Sequence, residues 1–117
     1  DPFEGVWIPN WNKVAREDNG WIGGTVVNVT KTKVKKGKSA GAAMAFVNIK
    51  TELGVFDCVV FSEKWLQYQD ILKFGSTVVV CGKKEGNLNM TLSSALTLNE
   101  YKSKVLPNVR RKNEQQK

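Results

Sequence analysis

From Trp21 onward the side chains alternate with a period of two, and one stretch at helical spacing breaks that alternation. This constrains the fold most, because a strand buries every second residue and a helix every third or fourth. Gly23–Thr30 is β-branched and opens on a glycine pair, which suits a bulge or sharp coil at a barrel corner. Ala43–Lys50 reads as a second strand, Thr51–Gly54 as a turn and Val55–Phe61 as a third strand. Ser62 is placed to cap a helix whose Trp65, Tyr68, Ile71 and Leu72 share one face, with Gly75 as its stop. A fourth strand, Thr77–Lys84, a tight turn at Glu85-Gly86-Asn87 and a fifth strand, Leu88–Leu98, follow.

Three strands, one helix and two strands is the element order of the OB barrel, in which the helix plugs the barrel end between strands three and four. An SH3-like barrel lacks that helix, and a ferredoxin-like fold needs two. The expected fold is therefore all-β: a five-stranded OB-fold barrel with a helix between strands 3 and 4 and a short N-terminal helical segment. That segment is read from Trp7, Trp11, Val14 and Ala15, which fall at helical spacing between a capping Asn10 and a stop at Asn19-Gly20. Residues 1–20 are thus an extension whose tryptophans seal one side of the barrel, and residues 21–100 are the domain proper. Residues 101–117 are basic and without apolar period, a flexible tail that frays after Pro107. A length of 117 residues suits one domain with a core that needs neither disulfides nor metals. The first residue is Asp1, which fits a trimmed chain or a domain cut from something longer.

The chain carries 18 basic and 11 acidic residues, a net charge of +7, so polyanions are the partners to consider. It contains no run of about 18 apolar residues, so no membrane-spanning helix is expected. Cys58 and Cys81 both lie in apolar runs and read as buried, reduced thiols. The sequence has no histidine, which removes Ser-His and Cys-His catalysis and the usual general base. Two isolated thiols make no zinc site, and no cofactor is expected.

Strand parity separates core from ligand face. In the second strand Lys50 and Asn48 define the wet side, which Phe46 and Met44 share, while Ala45, Val47 and Ile49 point inward. In the third, Asp57 and Val59 face out and Phe56, Cys58 and Val60 face in. An outward ring on a polar face is what a base-stacking platform requires; the alternative is that Phe46 packs beneath a loop or the N-terminal segment. Lys31, Lys33, Lys35, Lys36 and Lys38 put five positive charges into eight residues, either as a solvated face or as an arm that follows a phosphate backbone. Lys83 and Lys84, before the last turn, would wall the opposite side of the groove, with Asn87 and Asn89 adding hydrogen bonds. Asp57 repels phosphate, but it can accept from a base amino group or pair with a lysine. Arg110-Arg111-Lys112 offers further phosphate contact or a solubilising terminus.

One resemblance is carried by Lys31-Thr32-Lys33, Lys36-Gly37, Met44-Ala45-Phe46-Val47-Asn48-Ile49, the run Gly54–Glu63 and Val78–Gly82. These residues resemble the OB domain of the bacterial replicative polymerase III alpha subunit and its phage relatives. That pattern reads Lys-x-Lys-x-Gly, Met-Ala-Phe-Val, an acidic turn, Gly, and an apolar strand ending Phe-Pro-Glu. The likeness covers about two thirds of the chain, departing at Ser62, where proline is usual, and at Ser39–Ala42, which lengthen the first loop. The Met-Ala-Phe-Val strand is similar to that of the anticodon-binding OB domains of class II aminoacyl-tRNA synthetases, where the phenylalanine matching Phe46 stacks on a base. The resemblance implies a non-enzymatic, weakly sequence-specific single-stranded DNA-binding protein or domain in replication, repair or recombination. It further implies a cytoplasmic setting in a bacterial or phage-infected cell and contact with replication proteins. The alternatives are an RNA- or tRNA-binding OB domain and a protein-interaction module within a replication polymerase.

Overall fold

The computed structural model describes residues 3, 6, 8–33, 37 and 41–105. Trp7, Lys35, Lys36, Lys38 and the Arg110-Arg111-Lys112 cluster, all singled out above, lie outside the described residues. Five strands form a closed barrel: β1 (Asn19–Lys33), β2 (Ala43–Thr51), β3 (Gly54–Val60), β4 (Thr77–Gly86) and β5 (Asn89–Thr97). The order around the barrel is β1-β2-β3-β5-β4, and β4 closes onto β1. Every pairing is antiparallel except β3 with β5. The helix α1 (Ser62–Tyr68) falls between β3 and β4, as the element order predicts.

β1 is long because it serves two partners. Its first half pairs with β4 through Asn19–Thr25 and its second with β2 through Thr25–Lys33. The register slips between Val26 and Asn28, where it changes partner, so the bulge is not at the glycine pair. Those glycines allow close approach instead. A Cβ on Gly24 would fall on the carbonyl oxygen of Lys50, and one on Gly23 would come within 2.6 Å of both Ile8 and Phe3.

Inward parity holds as expected: Ala45, Val47, Ile49, Phe56, Cys58 and Val60 are buried in the main core with Val26, Val78 and Val80. Val78, Val79 and Val80 are buried in succession because β4 is covered on both faces. Outside the barrel, Val79 packs with Leu98 and Tyr101, and Phe3, Val6, Ile8, Trp21 and Leu96 lie against them. Described residues before β1 and after β5 thus pave one outer face of the barrel.

The expected short N-terminal helical segment is a 3-10 turn, Trp11–Lys13, with the Asn10 side chain accepting from the Asn12 amide. The chain is extended again at Val14, whose carbonyl accepts from Lys84 rather than continuing a helix. Ser62 is the first helical residue, not the cap; Phe61 holds that position without a side-chain bond, because the chain turns directly out of β3. The expected fraying after Pro107 lies outside the described residues. Thr97 and Glu100 form a reciprocal capping box for the turn α2 (Leu98–Glu100), and Tyr101 is fully buried. Among the described residues no helix is long and apolar enough to cross a membrane.

Burial sets a pH dependence. Desolvation, with a smaller contribution from the Asp57 charge, pushes the Cys58 thiol up from 9.0 to about 12. Burial also raises Cys81 and Tyr101. A group whose folded pKa is raised contributes stability that is complete below its unfolded pKa and is lost as pH climbs toward the folded one. The melting temperature is therefore expected to fall between about pH 9 and 12, and less steeply in Cys58→Val. An alkaline limb identical in wild type and variant would contradict the assignment to Cys58.

Candidate nucleic-acid interface

Among the described residues the outer face of β2, β3 and β5 is open: Phe46, Asp57 and Asn89 are exposed there, and strand register lays the side chains out in rows. Thr30, Phe46, Val59, Thr91 and Lys83 form one row across β1, β2, β3, β5 and β4. Phe46 is 44% exposed, so its ring does not join the core. Val59 beside it is half-buried and extends the apolar strip. Lys83 lies three strands away, roughly 14 Å along the sheet at about 4.8 Å per strand. Its ammonium is exposed and 3.6 Å from Glu85, a surface pair that leaves it able to exchange partners.

The adjacent row is Asn28, Asn48, Asp57 and Asn89 on β1, β2, β3 and β5. Asn28 donates from Nδ2 to Asn48 Oδ1 at 3.2 Å and to Thr30 Oγ1 at 3.4 Å. Asn48 in turn donates from Nδ2 to Asp57 Oδ1. A third row holds Lys50 opposite Val55, both exposed. The face therefore presents the Phe46 ring, with Phe61 exposed just past the end of β3, a rank of amides around a carboxylate, and cations at two margins.

Four candidates stand differently from their sequence reading. Met44 has the parity of Phe46 but is only 9% exposed, so it offers little contact surface. Lys84 is 8% exposed and is not a wall of the groove; its ammonium donates to the carbonyls of Trp11 and Val14, each at 3.0 Å, and lies over the Trp11 ring. It shares the inward parity of Val78 and Val80, and the N-terminal turn covers that end of the barrel. Lys31 pairs with buried Ala45 and stands 6.0 Å from the centroid of Trp65, on the side of α1 rather than beside Phe46. Lys33 has the same parity. Both remain exposed and extend from the β1–β2 arm, so they border the open face from its end.

Asn87 and Asn89 are exposed at the β4–β5 turn, where the Asn87 carbonyl accepts from Trp11 Nε1 at 2.8 Å. Asn28, which sequence reasoning missed, follows from register alone once the slip in β1 is known. Among the described residues no group of three His, Cys, Asp or Glu side chains could hold a metal ion. A groove of about 510 Å³ bounded by Phe3, Ile8, Trp11, Trp21 and Leu53 runs beneath the N-terminal segment, and Phe46, Asn48 and Asp57 are not among its walls. No protein-family model matches the chain, and a comparison with curated proteins finds no match.

Proposed function

We propose that the chain binds single-stranded nucleic acid across the open face of β2, β3 and β5, and that it does so without chemistry of its own. The observation that carries this reading is the exposed Phe46 ring, set among hydrogen-bonding side chains on an otherwise polar surface. An exposed ring accepts any base, and Thr91, Asn48 and Asn89 around it offer hydrogen bonds that impose at most a weak base preference. Lys50 and Lys83 at the margins, with Lys31 and Lys33 on the arm, suit phosphates on either side of a stacked base.

Single-stranded DNA is the preferred ligand on the strength of the resemblance to the polymerase III alpha OB domain, which also favours a role in replication beside other replication proteins. RNA is the nearest alternative, and competition between matched DNA and RNA oligomers separates the two through the 2′-hydroxyl. A protein partner is the second reading, favoured by Leu66 and Phe74, large apolar side chains left exposed on and just beyond α1. Phe46→Ala is expected to weaken oligonucleotide binding by about 1–3 kcal/mol at every salt concentration, because stacking is not screened. Anisotropy titration of a labelled oligothymidylate checks this, and unchanged affinity in the variant would remove the stacking platform from the account.

A further inference from the structure

The amide row surrounds a solvent-exposed carboxylate, Asp57. Asn28 fixes Asn48, and Asn48 fixes Asp57 through Oδ1, so the carboxylate is oriented from one side. Its Oδ2 has no hydrogen-bond partner among the described residues, and neither has the neighbouring Asn89 amide. The two ion pairs found among the described residues are Lys83–Glu85 and Lys104–Glu100, so no described lysine is paired with Asp57. An acid there works against phosphate binding, yet it stands diagonally across β2 and β3 from Phe46. Diagonal neighbours on a sheet are about 7–8 Å apart, a span that a base overhanging the ring covers.

We propose that this row reads the edge of the base stacked on Phe46 and selects guanine, an inference that rests on the nucleic-acid reading above. A carboxylate only accepts hydrogen bonds, so it rewards an edge made of donors. Guanine places N1–H and N2–H₂ side by side, at the spacing of two carboxylate oxygens, and its O6 suits the Asn89 amide. Thymine and uracil flank a single N3–H with two carbonyls, which meet Asp57 acceptor to acceptor. Cytosine and adenine each bring one donor group and gain less. Oδ1 can accept from Asn48 and from a base at once, because each oxygen has two lone pairs.

The test is anisotropy of a labelled oligothymidylate carrying dG, deoxyinosine, dC, dA or dT at its centre, with wild type and Asp57→Asn. Wild type is expected to bind the dG oligomer roughly tenfold more tightly than all-dT, as one good bidentate base contact allows. Deoxyinosine, which lacks the N2 amino group, falls most of the way back. Asp57→Asn loses the preference and binds all-dT at least as tightly as wild type does, since a negative charge has left the face. Equal wild-type affinity for dG and dT overturns guanine selection and leaves single-strand binding intact. A preference that survives in Asp57→Asn overturns the role of Asp57. No binding to any oligomer overturns this inference together with the reading beneath it.

Discussion

Trp11→Ala is expected to destabilise the protein by about 3–5 kcal/mol, the cost of emptying a large buried aromatic site. Trp11 is 2% exposed and meets Phe56 edge to face with ring centroids 5.1 Å apart. Its Nε1 donates to the Asn87 carbonyl, so one side chain ties the N-terminal turn both to the core and to the β4–β5 turn. Truncation leaves that carbonyl without its donor and opens the barrel end. Against a total stability of about 5–15 kcal/mol for a domain of this kind, the variant is left marginal at room temperature. Urea unfolding followed by circular dichroism reads the loss directly, and a shift below about 1 kcal/mol would mean that the N-terminal turn is not part of the folded unit.

Lys84→Met is expected to cost about 2–3 kcal/mol, because it keeps the packed stem and removes charged hydrogen bonds to two backbone carbonyls. The carbonyls of Trp11 and Val14 lose a donor at a largely buried site. Lys83→Met, one residue away, removes only a surface pair with Glu85 and should leave stability within about 0.5 kcal/mol. Its effect belongs in binding, as a weaker affinity and a shallower salt dependence. Denaturation and oligonucleotide titration of the two variants should thus give opposite patterns. Equal stability in both would contradict the clamp, and equal affinity would remove Lys83 from the interface.

That neighbouring pair marks where the sequence is legible and where it is not. Alternation along β2 separates Phe46 from Val47 and Ile49 without help from the structure, and the helical stretch around Trp65 places α1. The same parity puts Lys84 with Val78 and Val80. It goes unread because a lysine is taken for a surface residue, and the carbonyls that receive it come from residues 11 and 14, remote in sequence. Met44 shows the converse: its parity is outward, yet it is buried at the end of its strand.

Register is what alternation does not contain. The slips at Val26/Asn28 in β1 and at Lys84/Gly86 in β4 decide which side chains meet across the barrel. The row Asn28–Asn48–Asp57–Asn89 exists only once β1, β2, β3 and β5 are aligned, so Asn28 carried no signal of its own. Tyr101 was hidden in another way, as a single aromatic in a basic run whose packing depends on Trp21, 5.9 Å away between ring centroids. Its burial follows from the Thr97–Glu100 capping box, which turns the chain back onto β4.

On the proposed reading, the open face takes a single strand. The most direct measurement is the anisotropy of a labelled oligonucleotide titrated with protein, as a single strand and as its duplex, across a range of salt concentrations. The single strand is expected to bind more tightly than the duplex, with log affinity falling linearly with log salt by about 0.7 for each phosphate neutralised. Preference for the duplex, or no binding of the single strand at low salt, would contradict it.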